Sequence, residues 1–598
     1  MNFEKSHKRI LKNPLLWIVI AFNVFVMLHW IFTDINIKIM SDDLGGMAVT
    51  SLLAGYDWRD VLKETGYYGY GIRWMWFILL KWTTSPEMFI LGIKIFYVCL
   101  FTGVGTWLFI VLNKKYGDKF SFVAEMVFLI FACKEKNVFR SEQSIFLGMT
   151  ILCIVTLIAI NNNNEKLRKF YSVLISFLLC YNITLHERSV ILIFAFLLML
   201  LITYIYNKKT FVNIWYFLIS LALFYFLEEL LTENIINYFW PKGTKNTGIS
   251  MSKAGWLWPL QSFDNLCLFA EGLLTNFVCL VNKTYGMFIF VFAFAIEGMV
   301  DFFSVNKKYR QYFNKYEGEL SVIIFSFIST IGMIIGVVLQ WGGKITYGKY
   351  TGYKGFFYTR YYLVFAYIGI VFTVLLFSQM QKQNTMMYVG IILLMGIAER
   401  FLLVRIPYYE KIEETLSQGR GYYRIAENVG NFTDIFSDYN KNIFLSYAII
   451  CIGFGVWIIY SKEKRYLLTF LIALVIFIAF SDKSNWGRLH IPKFYSSHLK
   501  VIEKIRIADS KGVLPDTIYV EDATYSNIYF FQFMLKDKKI VISVPELKED
   551  MVAITYQNSS DWSTKLLEED LNVIQYSDEW CVWTNNEDIF NVLKESNY

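Results

Sequence analysis

Long apolar runs separated by polar connections dominate the first 480 residues of the chain. Most of them reach about 17 to 25 residues with few charges, the length at which a helix crosses a hydrocarbon layer roughly 30 Å thick. We assign candidate spans to residues 15–32, 86–111, 120–133, 144–160, 169–185, 188–206, 211–227, 285–303, 320–340, 361–379, 385–404, 441–460 and 465–480. The pattern predicts an all-α polytopic domain over residues 1–480 with about 13 transmembrane helices.

The polarity of the chain becomes ordinary after residue 480, and no later run is long enough to span a membrane. Short β-branched and aromatic runs alternate there with amphipathic segments, which is typical of an α/β domain with a largely parallel sheet. Residues 481–598 are therefore predicted to form a small soluble domain. Its strands are expected at 517–521, 539–544, 551–556, 571–576 and 579–584, and its helices near 496–511, 525–535, 562–568 and the C-terminus.

Charge placement predicts how the helices are oriented. Alternate connections are short and rich in Lys and Arg, beginning with the N-terminal segment that contains Lys5, Lys8 and Arg9. The positive-inside rule places these connections and the N-terminus in the cytoplasm. The remaining connections and the C-terminal domain are then predicted to be extracytoplasmic, with the longer loops at 33–85, 228–284, 341–360 and 405–440.

Composition supports a membrane protein and excludes several other classes. Of 598 residues, 56% are hydrophobic and only 18% are charged, whereas ordinary soluble proteins carry roughly a quarter charged residues. Eight prolines and this hydrophobicity exclude a disordered or collagen-like chain. The net charge of +7 lies mainly in juxtamembrane Lys and Arg, so no nucleic-acid partner is expected.

The first extracytoplasmic loop carries adjacent acids, Asp42 and Asp43, within the sequence SDDLGG. Carboxylates this close to a membrane surface are costly unless they are solvated or used. One interpretation is structural, since either acid could cap the short helix that follows. The other is catalytic, because a carboxylate just outside the bilayer can take the proton of an attacking hydroxyl.

Further charged residues recur at a similar depth in three other extracytoplasmic connections, and arginine forks suit a phosphate group. They are Arg140 and Glu142 in FRSEQ, His186, Glu187 and Arg188 in HERS, and Lys349 and Arg360 in the loop before residue 361. Two structural interpretations stay open. An arginine at a helix end also snorkels to lipid headgroups, and a histidine there is often only a hydrogen-bonded interfacial residue.

These motifs together resemble the GT-C glycosyltransferases. The resemblance is carried by SDD, then LLAGYDW and YYGYG before the second span, with FRSEQ and HERS similar in placement to that superfamily's later acidic and basic loop residues. It covers about the first 380 residues.

The resemblance implies an inverting transfer of a sugar from a polyprenyl-phosphate donor to a hydroxyl acceptor at the outer face of a bacterial cytoplasmic membrane. Asp42 or Asp43 would be the base, while Arg140 and Glu142 would line the site. Arg188 and Arg360 would hold the leaving phosphate. Some members bind a divalent cation, for which Asp43 and Glu142 are the candidates, although the sequence does not require one.

Two other functions stay open at this stage. A polysaccharide ligase or polymerase is also multi-spanning with outer arginines, but it does not need an early acidic pair. A non-catalytic transporter of lipid-linked glycans, the second alternative, usually places polar groups at the midplane of the membrane. Charges within the predicted spans are scarce here and form no obvious path. The acceptor is a glycan, wall polymer, lipid or protein, which the sequence does not distinguish.

Overall fold

A computed structural model describes most of the chain. The described residues are 14–32, 35–36, 39–132, 138–243, 253–284, 286–303, 307–346, 359–379, 390–391, 393–398, 400–401, 489–490, 496–521, 527–544, 550–556, 561–569, 571–576 and 579–595. The predicted spans 441–460 and 465–480 and the predicted loop 405–440 lie outside them, as does half of the predicted span 385–404.

Helices form nearly all of the described N-terminal part. They are α1 (Pro14–Phe32), α2 (Ser41–Gly46), α3 (Ala48–Ala54), α4 (Arg59–Leu62), α5 (Phe77–Trp82), α6 (Pro86–Tyr116), α7 (Asp118–Ala132), α8 (Ser141–Ile160), α9 (Glu165–Leu185), α10 (Ile191–Asn207), α11 (Ile214–Phe239), α12 (Phe263–Lys283), α13 (Met287–Phe303), α14 (Lys307–Thr346) and α15 (Arg360–Gln379). Single-turn or short 3₁₀ helices cover Ile72–Trp76, Glu187–Val190 and Lys253–Leu260.

The chain is a multi-pass membrane protein. Six helices of the described residues are long and apolar enough to cross a membrane, and three shorter helices are comparably apolar. The predicted number of 13 is not confirmed.

The range 228–284 differs from its prediction as a single connection. Helix α11 continues through its first part to Phe239, and α12 occupies its last part. The stretch Phe263–Val281 is itself long and apolar enough to span. Polar residues such as Asp264, Asn265 and Glu271 interrupt its apolar run, which is why inspection of the sequence missed it.

Close packing between helices α14 and α15 fixes the helix ends that surround the candidate active site. Helices α14 and α15 approach each other at Gly369, where an added Cβ would lie 2.4 Å from the Ser326 hydroxyl. That hydroxyl donates to the Phe365 carbonyl at 2.6 Å and accepts from the Gly369 amide at 3.1 Å. Small residues and interhelical hydrogen bonds are the usual means of joining helices in a membrane. The contact fixes the register of α15 against α14.

A small mixed sheet forms the core of the C-terminal domain. Its elements are α16 (Ser496–Ser510), β3 (Thr517–Val520), α17 (Asn527–Met534), β4 (Lys539–Val541), β5 (Val552–Tyr556), α18 (Asp561–Glu568), β6 (Asn572–Gln575), β7 (Trp580–Thr584) and α19 (Glu587–Glu595). The strand order is β4-β3-β5-β7-β6. All five predicted strands are present, but the sheet is not largely parallel. The pairs formed by β7 with β5 and β6 are antiparallel, because a short return without a crossover helix joins β6 to β7.

One further pairing joins distant parts of the chain. Strand β1 (Ile35–Asn36), just after the first span, pairs in parallel with β2 (Leu489–His490), just before the C-terminal domain. The domain packs on the segment of short helices that follows β1, so it lies at the same end of the helix bundle as Asp42 and Asp43.

Candidate active site

A cavity of about 240 Å³ opens where several helices begin or end. Helices α8 and α15 begin there, α9 and α14 end there, and α2 and the 3₁₀ turn Ile72–Trp76 close one side. Its lining consists of Asp42, Asp43, Tyr68, Arg73, Phe139, Arg140, Ser141, His186, Glu187, Arg188, Met333, Gln340, Trp341, Arg360 and Tyr361. Acidic and basic side chains from distant parts of the sequence therefore meet in one pocket.

Helix α2 presents the two adjacent acids differently. Asp43 is 2% exposed, and its Oδ2 accepts a hydrogen bond from the Met40 amide at 3.0 Å, which is the return contact of a capping box. Asp42 is only half-buried, and its Oδ1 accepts from the Ser41 hydroxyl at 3.3 Å. The capping role weighed for the pair thus falls to Asp43. Asp42 is the more accessible carboxylate in the cavity.

Tyr68 lies beside Asp42. Burial together with the negative charge of Asp42 raises the pKa of the Tyr68 hydroxyl far above its usual range. The phenol therefore stays protonated and can donate a hydrogen bond. The Tyr68 ring also meets the His186 ring edge-on, with centroids 6.3 Å apart.

A buried carboxylate joins two arginines behind the cavity wall. The Oε1 of Glu142 accepts from Nη2 of Arg188 at 2.9 Å and from Nε of Arg360 at 2.7 Å. Glu142 stands in the first turn of α8, where the positive end of the helix dipole favours a negative charge. Arg360 is the first residue of α15, so the ion pairs connect three helix ends. One carboxylate therefore pairs with two guanidinium groups, and these three groups together carry one net positive charge.

Arg188 has hydrogen-bonding capacity to spare. Its side chain is 5% exposed, and its Nε and Nη1 are buried without a hydrogen-bond partner. The guanidinium also stacks over the Tyr361 ring, 5.3 Å from the centroid. Buried donors of this kind are normally satisfied, and leaving them unpaired costs free energy. An anion in the cavity would supply the missing acceptor.

The helix ends before His186, and the turn at this residue brings Arg188 to the cavity. Helix α9 ends at Leu185, and His186 has an extended backbone (φ −172°, ψ 134°) that turns the chain into the 3₁₀ helix Glu187–Val190. The Nδ1 of His186 accepts from the Arg188 amide at 3.4 Å, which leaves Nε2 as the proton-bearing nitrogen. Burial and the neighbouring arginine lower the pKa of His186 well below its usual value. The imidazole is therefore neutral at pH 7.

Arg73 is a cavity residue that the sequence did not reveal as one. Its side chain is buried, and it donates from Nη1 to the Tyr68 carbonyl at 3.0 Å and from Nη2 to the Phe139 carbonyl at 2.7 Å. A Cβ at Gly46 would lie 1.9 Å from Nη1, so only glycine leaves room for the guanidinium. A charge inside the apolar segment 71–83 was the signal that could have identified it.

An aromatic wall completes the cavity. Gln340 and Trp341 come from the end of α14, and Tyr361 comes from the start of α15. The end of α14 is seated by Trp258, whose indole donates to the Leu339 carbonyl at 2.9 Å and packs where Gly342 has no side chain. Trp341 and Tyr361 were not predicted as residues of the site.

The predicted site residues are largely brought together. Asp42, Asp43, Arg140, His186, Glu187, Arg188 and Arg360 line the cavity, and Glu142 lies directly behind it. Lys349 lies outside the described residues. The roles assigned to these residues remain predictions.

The arrangement fits a divalent cation poorly at Glu142. Its Oε1 holds both arginines, and its Oε2 is 3.5 Å from Nη2 of Arg360, so the carboxylate is already committed to positive partners. Asp43, the other candidate ligand, uses one oxygen on the Met40 amide. Within the described part of the chain, no group of three or more His, Cys, Asp and Glu side chains could hold a metal ion.

Comparison with known proteins gives fold-level likenesses. No family model and no curated protein matches the chain. A structure of ArnT from Cupriavidus metallidurans bound to undecaprenyl phosphate is similar over 97% of this chain and 99% of that one, at 9% identity and a TM-score of 0.49. The apo form of the same protein is similar over 96% and 98%, at 10% identity and a TM-score of 0.46.

An oligosaccharyltransferase from Archaeoglobus fulgidus, tethered to an acceptor peptide, is similar over 89% of this chain and 64% of that one, at 11% identity and a TM-score of 0.40. These neighbours are GT-C glycosyltransferases, the superfamily that the sequence motifs resemble. At such identities and TM-scores below 0.5, the likeness says nothing about the reaction, which has to be argued from the cavity itself.

Proposed function

We propose that this chain is an inverting glycosyltransferase that moves a sugar from a polyprenyl-phosphate donor to a hydroxyl acceptor. One observation carries the proposal. A single cavity holds an accessible carboxylate, Asp42, together with a buried arginine, Arg188, that has two unpartnered nitrogens. A base and an anion-binding group in one pocket are what a sugar phosphate and an attacking hydroxyl require.

The donor phosphate would bind at the arginine cluster. Arg188, Arg360 and Arg140 line the cavity, and Glu142 holds Arg188 and Arg360 in place through ion pairs. The unpartnered Nε and Nη1 of Arg188 favour an anionic ligand with several acceptor oxygens, and guanidinium forks bind phosphate oxygens in pairs. Because the donors are fixed before the reaction, they stabilise the negative charge that develops on the leaving phosphate.

Asp42 would act as the general base. The acceptor oxygen attacks the anomeric carbon while its proton passes to the Asp42 carboxylate, and the bond from that carbon to the phosphate oxygen breaks with its electron pair going to the phosphate. Displacement from the face opposite the phosphate inverts the anomeric centre. Asp43 is less suited to this role, since it is buried and caps its own helix. Protonated Tyr68 would hold Asp42 in place through a hydrogen bond.

A lipid-linked donor suits the position of the cavity. It lies at the ends of apolar helices, where a polyprenyl chain can stay in the membrane while its phosphate reaches the arginines. We further propose that this end faces outward from a bacterial cytoplasmic membrane, with the N-terminus in the cytoplasm. The support is the excess of Lys and Arg in the alternate connections.

The alternatives from the sequence explain the cavity less well. A non-catalytic transporter of lipid-linked glycans would use the arginines but has no need of Asp42 beside them. A polysaccharide ligase or polymerase shares the lipid-linked substrate, so it differs from our proposal mainly in the donor. A diphosphate-linked oligosaccharide offered to the purified protein distinguishes it from a monophosphate-linked sugar.

The proposal is tested with purified protein, a radiolabelled undecaprenyl-phosphate hexose and envelope extract as the source of acceptor. Asp42→Asn is expected to lower transfer roughly 10² to 10⁴-fold, the usual contribution of a general base. Asp43→Asn should lower it less. Asp118→Asn, in the first turn of α7 at the far end of the bundle, is the matched control. Undiminished transfer by both Asp42→Asn and Asp43→Asn would exclude the proposed base.

A further inference from the structure

Helix α17 of the C-terminal domain is buried along its whole length, including the side that faces the membrane domain. All eight of its residues are buried. Phe533, near its end, packs against Phe139 with ring centroids 5.4 Å apart and against Phe89 of α6 at 6.1 Å. Phe139 lines the cavity and directly precedes Arg140 in the sequence. A side chain of the C-terminal domain therefore touches the cavity wall from behind.

Phe139 also connects to Arg73. Its carbonyl accepts the 2.7 Å hydrogen bond from Nη2 of Arg73, whose Nη1 bonds the Tyr68 carbonyl. Any displacement of the Phe139 backbone would move Arg73 and the adjoining Arg140. Phe533 thus stands one contact away from two of the cavity's arginines.

Lys536, just after α17, makes a second attachment. Its ammonium group donates to the carbonyls of Leu80, at 2.5 Å, and of Thr83. These carbonyls lie at the end of α5, where a helix leaves its last acceptors unsatisfied. A lysine near a helix C-terminus also interacts favourably with the dipole. In return, the Trp58 indole donates to the Lys536 carbonyl at 2.8 Å.

Two more hydrogen bonds hold the segment between α2 and Tyr68. The Tyr529 hydroxyl donates to the Glu64 carbonyl at 2.9 Å, and the Ile542 amide donates to Oδ2 of Asp60 at 3.1 Å. A salt bridge from Lys539 to Asp57, at 3.3 Å, lies at the edge of the contact. The segment that carries the acids, Tyr68 and Arg73 is therefore attached to the C-terminal domain between Asp57 and Glu64.

We infer that the C-terminal domain is a positioning element of the cavity, with Phe533 and Lys536 as its positioning residues. The domain supplies no group to the cavity lining among the described residues. It holds the segments that do supply such groups at their places. The consequence for rate rests on the proposed function, because a shift of about 1 Å in a catalytic group can cost 10²-fold.

The test compares two variants at this contact with one elsewhere in the same domain. Phe533→Ala removes the ring behind Phe139, and Lys536→Met keeps the aliphatic stem but loses the bonds to the α5 carbonyls. Phe590→Ala is the control, because Phe590 is a half-buried aromatic residue on α19, which packs on α16, β6 and β7 of its own domain. Phe533→Leu is the conservative variant that should restore most of the contact.

Hydrogen–deuterium exchange is measured on the whole protein in detergent. Exchange in peptides covering residues 41–47 and 139–143 is expected to rise in Phe533→Ala and Lys536→Met, to return towards wild type in Phe533→Leu and to stay unchanged in Phe590→Ala. With the labelled undecaprenyl-phosphate hexose, kcat should fall roughly 10 to 10²-fold in the first two variants, while KM changes much less.

The outcomes separate the two hypotheses. Unchanged exchange in both Phe533→Ala and Lys536→Met overturns the positioning role. Raised exchange with unaltered kcat overturns its consequence for catalysis. Raised exchange in a protein whose wild type transfers no sugar supports the positioning role and contradicts only the proposed function.

Discussion

Two ion-pair clusters, each built on a buried carboxylate, stand at opposite ends of the helix bundle, and they differ in the ratio of positive to negative groups. At the far end, Lys115 of α6 pairs with Glu319 of α14 at 2.7 Å, one positive group for one negative. The ammonium also lies 5.3 Å and 5.7 Å from the ring centroids of Tyr116 and Tyr316. This pair joins two helices through Oε2 of Glu319 and balances one positive charge with one negative charge.

At the cavity end, Glu142 faces both Arg188 and Arg360. Two nitrogens of Arg188 are buried without a hydrogen-bond partner. Burying charge is expensive, so a cluster that only held helices together would gain from balance. The comparison teaches that the far cluster pairs one charge of each sign, whereas the cavity cluster places two guanidinium groups on one carboxylate and keeps buried donors that an anion would satisfy.

Removal of Arg188 should have the largest effect on function. Arg188→Gln is expected to weaken binding of undecaprenyl phosphate roughly 10- to 100-fold, since a hydrogen bond to a charged group is worth about 1.5–3 kcal/mol. Transfer should fall about 10² to 10³-fold, as when one donor to a developing oxyanion is lost. Both are measured on purified protein, by lipid binding and by label transfer.

Lys115→Gln is the control at the balanced cluster. It should lower thermal stability without weakening lipid binding. Equal losses of binding in the two variants would contradict the distinction between the clusters.

Glu142→Gln should reveal the missing anion directly. Without the carboxylate, buried Arg188 and half-buried Arg360 lose their shared counter-charge, and breaking a buried ion pair typically costs about 3–5 kcal/mol of stability. Added undecaprenyl phosphate is expected to raise the Tm of this variant more than that of the wild type, because the phosphate replaces the lost negative charge. Undecaprenol, which lacks the phosphate, should not do so.

The matching variant at the far end is Glu319→Gln. Its stability should fall without any extra rescue by the lipid phosphate. If both variants gain the same Tm shift from the lipid, the cavity cluster has no special need for an anion.

A smaller loss of transfer is expected from a substitution that displaces a cavity side chain but changes no charge. In Gly46→Ala the new methyl group collides with Nη1 and Cζ of Arg73, which lie 1.9 Å and 2.5 Å from an ideal Cβ. Arg73 must shift, and transfer should fall roughly tenfold through misplacement of cavity groups. Gly103→Ala, where no atom lies within 4 Å, should have no effect on transfer. Equal activity of both variants would show that the Arg73 position is unimportant.

Chelation should have the smallest effect. Because the Glu142 carboxylate is already occupied by arginines, EDTA is expected to change transfer by less than about twofold, unlike its effect on an enzyme with an oxygen-ligated Mg²⁺. The rate is compared with and without added Mg²⁺ after chelation. A large loss of transfer that Mg²⁺ reverses would contradict the conclusion that the arginines occupy the Glu142 carboxylate.

The sequence predicted the elements of this fold better than their arrangement. Alternation and turn signals located the five strands of the C-terminal sheet, because those signals are local. The antiparallel pairing of β7 is a tertiary choice and was missed. Helix α12 was not predicted, because polar residues interrupt its apolar run. Its apolar face becomes apparent only in the folded chain, where the helix packs against α14.

The residues of the candidate site were likewise predictable only in part. Charges next to apolar runs identified Asp42, Arg188 and Arg360, because such charges need a reason to be there. Nothing local distinguished Asp42 from Asp43, and only the bond from the Met40 amide to Asp43 did so. Arg73 and the Phe533 contact depend on segments that meet only in the folded chain.

The short pairing of β1 with β2 has a consequence for the order of biosynthesis. Residues about 450 apart in sequence form it, so β1 and the acids that follow it are synthesised long before β2 and the C-terminal domain can pack on them. Closing so long a loop is slow and entropically costly, and it succeeds only if later contacts reward it. A truncated or still-growing chain would carry Asp42 and Arg73 without their support. A domain translated about 450 residues later thereby supports a pocket that β1 and the helices after it help to form.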